Sequence, residues 1–206
     1  MSEHLPRVRR AAARRERILD TARTLFIDHG FHSTGIAAIA KESDIAVAQL
    51  YRDFPSKEDI VAAIVEHDCQ ELIRSQELKA AIDAQNLVAV RAWLDRLFAQ
   101  IKDDGHDRMF IEIIAESSRN PRISSVFKSL ELTLREHILE ALNVLAPGET
   151  LTAQRGNLAH LIMVLSVGLL HHRLMHNIEH RDQVHNDTLC IVDAQIEMLK
   201  AGQQER

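Results

Sequence analysis

The apolar residues of this chain recur at the spacing of amphipathic helices. Over residues 18–26 they follow the i, i+4, i+7, i+8 pattern, and Gly30 comes next as a helix stop. Shorter apolar stripes at 36–40 and 45–54, the second ended by Pro55, have the same periodicity. The first 60 residues therefore predict three short helices.

Helical periodicity continues to the end of the chain. Ser56 and Asp59 form a capping-box pattern at the start of a long helix that extends toward residue 80. Further stripes follow at 87–101, 108–118, 122–145, 152–170 and 187–199. Since no alternating strand pattern and no internal repeat occurs, we predict an all-α fold of about nine helices.

The second and third helices have the arrangement of a helix-turn-helix. They are joined by a tight turn at Ser43-Asp44, and the outer face of the later helix is small and polar. Such pairs also occur in plain helical proteins, so periodicity alone leaves DNA binding and a purely structural role open.

Charge is distributed unevenly along the chain. The formal net charge is −5, yet residues 1–17 hold six arginines against two glutamates. This asymmetry is expected if only the amino-terminal end meets phosphate, and a solvated basic tail is the competing interpretation.

Composition narrows the class of protein. With 206 residues, 46% hydrophobic residues, 7 Gly and 4 Pro, the chain is neither collagen-like nor of low complexity. Two cysteines, Cys69 and Cys190, are too few for a disulfide framework. The longest apolar run, Leu161 to Leu170, is about half of what a bilayer crossing needs, and the charged amino terminus offers no signal-peptide core. We expect a cytoplasmic protein without a membrane partner.

The residue identities of the amino-terminal segment indicate a protein family more specifically than its helical periodicity does. Residues 17–22 read RILDTA, 39–42 read IAKE and 50–58 read LYRDFPSKE. Over residues 14 to about 62 this resembles the TetR (tetracycline repressor-like) family. The resemblance implies a homodimeric transcription factor, usually a repressor, with an amino-terminal three-helix DNA-binding lobe and a larger helical lobe that binds an inducer and dimerises. We place these lobes at 1–60, including the basic arm, and 61–206.

Candidate DNA contacts follow from this arrangement. The helix from about Val47 would lie over the major groove, so Val47, Ala48 and Gln49 are candidates for base readout, with packing as the competing interpretation for the first two. The resemblance implies phosphate contacts from Tyr51 and Lys57. The full predicted set is Thr34, Gly35, Ala46, Val47, Ala48, Gln49, Tyr51, Arg52 and Lys57.

Three positions depart from the family pattern. Asp44 stands where Gly is usual in the turn, Ala46 where a hydroxyl residue is common, and Gly35 where a second threonine is frequent.

The candidate reading helix has an unusual lack of basic residues. Residues 45–51 contain no Arg or Lys, whereas Gln49 suits adenine and the small apolar residues suit thymine methyl groups. We therefore predict A·T pairs at the centre of each operator half-site, with Arg7, Arg9 and Arg10 in an adjacent narrow minor groove.

The larger lobe suggests dimerisation and an inducer pocket. The helix at 158–169 is apolar nearly all round, so we expect it to form a four-helix interface with the helix at 187–199 and their counterparts in a second copy. A dimer implies a palindromic operator. For a small apolar or amphiphilic inducer, the predicted lining residues, each with core packing as the competing interpretation, are Trp93, Leu97, Phe110, Ile114, Phe127, Leu134 and Met163.

Late histidines raise a further alternative. His172, His176 and His180 repeat every four residues, which on one helical face is ligand spacing for zinc, copper or nickel. A polar surface stripe is the competing interpretation, and we assign neither a metal ligand nor a cofactor. A metal-sensing regulator and an all-helical enzyme or carrier are the alternatives to a ligand-responsive repressor. We expect no enzyme, because no nucleophile with a nearby base, phosphate loop or paired carboxylates is found.

Overall fold

All regular structure in the described part of the chain, residues 4–99 and 104–204 of a computed structural model, is helical. This confirms the all-α prediction. The elements are α1 (His4–His29), α2 (Ile36–Glu42), α3 (Val47–Asp53), α4 (Lys57–Ile73), α5 (Ser75–Asp83), α6 (Leu87–Arg96), α7 (Asp104–Ser117), α8 (Pro121–Leu145), a 3-10 turn (Glu149–Leu151), α9 (Thr152–Met175) and α10 (Ile178–Gln204).

The first of two compact units comprises residues up to Asp68 together with Arg108–Phe127. Its core contains the apolar residues expected from the helical stripes. Ile18, Phe26, Ile39, Leu50 and Phe54 are each at most 1% exposed. Because these side chains come from α1, α2, α3 and the residue after α3, their burial holds the helix-turn-helix against α1.

The capping box at the start of α4 is confirmed. The Ser56 hydroxyl accepts a hydrogen bond from the Asp59 backbone N–H at 3.1 Å and donates one to the Asp59 carboxylate at 2.8 Å. This cap, together with Pro55, ends one helical segment and begins the next.

The second unit comprises Cys69–Asp107 and the chain from Lys128 onward. Its apolar core is contributed by α5, α6, α8, α9 and α10 and includes Trp93, whose indole N–H donates to the backbone carbonyl of Ile73. Arg173 also pairs with the buried carboxylate of Asp107 at 2.9 Å. The division into two units does not by itself locate the functional boundary near residue 60, which stays a prediction.

The structure differs from the predicted elements at one internal break. The helix expected from Ser56 toward residue 80 is divided into α4 and α5 at Arg74, which adopts a left-handed conformation with φ 42°. Arginine is a good helix former, so no sequence signal marks this break. The described residues therefore contain ten α-helices.

The predicted ten-residue apolar run lies within a longer helical segment. Residues Glu149–Met175 are long and apolar enough to cross a membrane by length and composition alone. However, Leu158, Ala159, Ile162 and Leu169 pack in the core of the second unit. Core helices of soluble proteins can have the same length and apolar composition, so these two features are weak evidence for a membrane span.

Candidate nucleic-acid interface

The turn between α2 and α3 is tight. Asp44 adopts φ 52°, and the backbone N–H of Ile45 donates to the Ala40 carbonyl at 3.0 Å. Aspartate tolerates this left-handed conformation better than most residues other than glycine. The substitution of the usual glycine by Asp44 is therefore compatible with the turn.

Helix α3 presents a small, uncharged face to solvent. Val47 is 44% exposed and Tyr51 is 50% exposed, and Ala46 and Ala48 are exposed too. Leu50 points the other way and is fully buried. The helix is thus anchored by one side and free on the other, as a helix that enters a major groove must be.

Two arginines of α1 hold the carboxyl end of α3. Arg14 binds both carboxylate oxygens of Asp53, at 2.5 and 2.9 Å, and Arg15 donates to the Asp53 backbone carbonyl. The Arg15 guanidinium also lies 4.1 Å from the centre of the Phe54 ring. In the sequence these arginines are only part of a basic stretch, and nothing there pairs them with Asp53.

This clamp should make the stability of the first unit depend on Asp53. The Arg14 hydrogen bonds lower the pKa of the Asp53 carboxyl below its ordinary value of 3.8. Because the pKa is lower in the folded chain, the clamp stabilises the fold above the unfolded pKa, and this stabilisation is lost as the pH falls through the folded pKa. We expect Asp53→Asn to lower the Tm by several degrees at pH 7, measured by circular dichroism.

The difference in Tm between Asp53→Asn and the wild type should narrow only below pH about 4. Glu42→Gln, which removes an exposed carboxylate at the end of α2, is the matched control and should leave the Tm nearly unchanged. A gap in Tm that stays constant down to pH 3 would show that charge pairing is not the cause.

Gln49 takes part in a side-chain network on α3. Its amide nitrogen donates to the Asp53 carboxylate at 3.1 Å, and its oxygen accepts from Arg52 at 2.5 Å. To read an adenine, Gln49 has to exchange these contacts for the base edge. Its role in readout, like that of Arg52 at the phosphates, stays a prediction.

Thr34 and Lys57 are engaged within the first unit. Thr34 is 2% exposed, and its hydroxyl donates to the carbonyls of Leu25 and Gly30. The Lys57 ammonium donates to the carbonyls of Phe31 and Thr34 at 2.7 and 3.1 Å. In this conformation both side chains organise the segment between α1 and α2, and their predicted DNA contacts require rearrangement.

Both short helices lack a side-chain cap at their amino ends. Gly35 is the N-cap of α2 and Ala46 is the N-cap of α3, and neither provides a capping hydrogen bond. The N-cap of α2 is therefore Gly35, and the hydroxyl of Thr34, one residue earlier, does not cap this helix.

Restoring a cap at α3 should stabilise the protein. Ala46 has φ −57° and ψ 135°, so a serine hydroxyl there could accept from the free N–H groups of the first turn. We expect Ala46→Ser to raise the free energy of unfolding by about 1 kcal/mol in urea denaturation. Ala48→Ser, two residues further along and inside α3, is the control and should not stabilise. Equal stabilisation by both variants would contradict the capping explanation.

The comparisons with known proteins agree with this geometry. Residues 18–64 match the model of the bacterial regulatory proteins, tetR family. The matched segment, which contains α2 and α3, is that of a tetR-family regulator. It is 30% identical over 131 residues to the HTH-type transcriptional regulator UidR of Escherichia coli K12, covering 61% of this chain and 63% of UidR. It is 25% identical over 117 residues to the transcriptional activator FasR of Mycolicibacterium smegmatis, covering 56% of this chain and 52% of FasR.

Among solved structures, this chain resembles GusR of Salmonella enterica. The TM-score is 0.58 at 21% identity, with 98% of this chain and 97% of GusR covered, which supports the fold. UidR and FasR are named as transcription regulators, which favours a regulator over an enzyme. Since the chain spans less than two thirds of the length of UidR, what the whole chain binds and regulates is a matter for proposal.

The basic amino-terminal segment is helical. Residues 4–29 form the single helix α1, on which Arg9 and Arg10 are exposed, whereas the side chain of Arg7 lies outside the described residues. A helix with side chains is about 10–12 Å wide and the minor groove is about 6 Å wide. The Ala11–Ala13 run, a strong helix former, favours this helix. Contact of Arg7, Arg9 and Arg10 with a minor groove stays a prediction, and it would need the end of α1 to unwind or to present these side chains from outside the groove.

The seven predicted pocket residues fall in both compact units. Trp93 and Leu97 belong to the core of the second unit, with Leu134 and Met163 packed against it. In the first unit, Phe110 and Phe127 meet edge to face with ring centres 5.7 Å apart, and Ile114 is partly buried. In both units the contacts of these residues are those of packing residues. Their role in ligand binding stays a prediction.

Proposed function

We propose that this chain is a homodimeric transcriptional repressor that binds a palindromic operator in the cytoplasm and is released by a small apolar or amphiphilic inducer. The observation that carries the proposal is the exposed, uncharged face of α3, held in place by α1 through the Asp53 clamp. The family match over residues 18–64 and the regulators UidR and FasR support a role in transcription.

Exposed apolar residues on α9 and α10 support the dimer. Leu161, Val164 and Val167 are 38, 55 and 45% exposed on α9, and Ile191 and Met198 are 51 and 66% exposed on α10. A second copy related by a two-fold axis would cover the same face on both chains. Two reading helices one DNA turn apart, about 34–36 Å, then call for a palindromic site.

Contacts inside the first unit offer a route from ligand to DNA. Glu112 on α7 accepts a hydrogen bond from the backbone N–H of Phe31 at 2.8 Å, and Glu116 lies 3.2 Å from His32. Gly30, with φ 82°, leaves room for the Glu112 carboxylate, since a Cβ there would lie 3.2 Å from it. The two partners are 81 residues apart, so no local sequence pattern indicates this contact.

Through these contacts, movement of α7 would displace the segment between α1 and α2. An inducer that binds more tightly to the displaced form shifts the dimer toward a spacing that no longer fits the operator. We choose repression over activation because a dimer that covers a promoter excludes polymerase without any further contact. FasR is named an activator, so a reporter assay with the operator placed over and upstream of the promoter decides between the two outcomes.

The test of DNA binding is selection from random duplexes with the purified full chain, followed by gel shifts on the recovered sequence. We expect an inverted repeat with A·T pairs at the centre of each half-site. G·C pairs there would contradict the base preference, and failure to enrich any duplex at low salt would contradict DNA binding itself. A thermal-shift screen of apolar and amphiphilic compounds then identifies inducers, since a ligand of the folded dimer raises its Tm.

A further inference from the structure

Three histidines meet at the corner between α9 and α10. Helix α9 ends at Met175, His176 is extended with φ −130° and ψ 161°, and α10 begins at Ile178. The expectation that His172, His176 and His180 share one helical face is therefore wrong. The corner itself brings them together, with the candidate ligand atoms all within 4.8 Å of one another.

The three imidazole rings are in mutual contact. The ring centres of His172 and His176 are 4.1 Å apart, and that of His180 lies 5.6 and 5.2 Å from them. His172 Nδ1 is shielded from solvent and has no hydrogen-bond partner among the described residues. A buried polar nitrogen without a partner is costly unless something else binds it.

A histidine binds a metal ion through the lone pair of an unprotonated ring nitrogen. His172 Nδ1, which is shielded from solvent and has no protein partner among the described residues, is such a candidate ligand atom.

We propose that His172, His176 and His180 form a binding site for a divalent transition-metal ion, of which Zn²⁺ is the representative. The site lies within the second unit and does not depend on the proposed DNA-binding function. Imidazole nitrogens suit Zn²⁺, Ni²⁺ and Cu²⁺, whereas Mg²⁺ and Ca²⁺ prefer oxygen ligands.

The three histidine side chains need to move only slightly to bind a metal ion together. Zinc–nitrogen bonds of about 2.0–2.1 Å in a tetrahedron place the ligand nitrogens about 3.3 Å apart. His176 and His180 are exposed, so their side chains can rotate inward. Three protein ligands leave the fourth position to water or to a group from another molecule.

The backbone of the corner is already held in place. The Asn177 side chain accepts from the His180 backbone N–H at 3.1 Å and caps α10, while Arg181 donates to the His176 carbonyl at 2.6 Å. This order reduces the entropy lost on binding. The charge of Arg181 opposes a cation, so we expect micromolar and not nanomolar affinity.

The experiment is a titration of the tag-free full chain with Zn²⁺ against a chromophoric chelator, with Ni²⁺, Cu²⁺ and Mg²⁺ as parallel arms. We expect binding that depends on the three histidines, and no response to Mg²⁺. Bound Zn²⁺ at 100 times its dissociation constant should raise the Tm by about 5 °C, because the site exists only in the folded chain.

The decisive variant is His176→Ala/His180→Ala, since both side chains are exposed and their loss should not disturb folding. Changes around a ligand shell cost about 10–100-fold in metal affinity, so loss of two ligands should weaken Zn²⁺ binding by about 100-fold or more. The matched control is His67→Ala/His160→Ala, at two exposed helical positions outside the cluster. Undiminished binding by the first variant, an equal loss in the control, or no Zn²⁺ binding by the wild type would overturn the proposal.

Discussion

Val164→Glu should convert the dimer to monomers and abolish tight operator binding. Val164 is 55% exposed at the centre of the apolar face of α9, between Leu161 and Val167. In a two-fold interface every substitution occurs twice, so two carboxylates would lose their water and face an apolar surface. At about 2 kcal/mol or more for each copy, the dimer dissociation constant should rise about 1000-fold.

Light scattering over a range of protein concentrations measures this change, and gel shifts measure its consequence for DNA. Because a monomer engages only one half-site, operator affinity should fall by about 100-fold or more. The matched control is Val88→Glu on α6, where the valine is 80% exposed and lies outside the apolar face of α9 and α10. A Val164→Glu protein that remains dimeric at nanomolar concentration would show that this face is not the interface.

The fold could be predicted because its signals are local. The spacing of Ile18, Ala22 and Phe26 requires a helix with one apolar face, and all three side chains are at most 1% exposed. Ser56 and Asp59 likewise lie three residues apart, so their hydrogen bonds could be expected from the sequence.

Contacts between distant residues could not be predicted in this way. Lys57 is 26 residues from Phe31 in the sequence, and its ammonium binds a backbone carbonyl, a group that every residue carries. Periodicity places Lys57 on the first turn of a helix but cannot show that its charge faces inward. The DNA contact predicted for it therefore competes with a structural role visible only in three dimensions.

The histidine corner has one feature that the sequence predicts and one that it does not. The spacing of four residues indicates that His172, His176 and His180 lie close together, but they do so across a helix end and not on one helical face. No glycine or proline marks the end of α9, and Asn177 is the single capping residue between Met175 and Ile178. A helix end that depends on one asparagine is easily missed when apolar residues continue on both sides.

Ala48→Glu should eliminate specific operator binding without harming the fold. Ala48 is exposed in the first turn of α3, on the face that carries Val47 and Tyr51. A carboxylate near the amino end of a helix interacts favourably with the helix dipole, so folding should not suffer. Against DNA the same carboxylate meets phosphate charge and would lose its hydration in the groove, which should cost several kcal/mol and lower affinity by about 100-fold or more.

Ala92→Glu is the control for Ala48→Glu, since it makes the same change at an exposed position of α6 in the second unit. It alters net charge equally, so only a small, salt-sensitive loss of affinity is expected from it. The loss caused by Ala48→Glu should persist at higher salt, because it includes displaced base contacts as well as repulsion. If gel shifts give both variants the affinity of the wild type, while circular dichroism shows intact helices, α3 does not face the DNA.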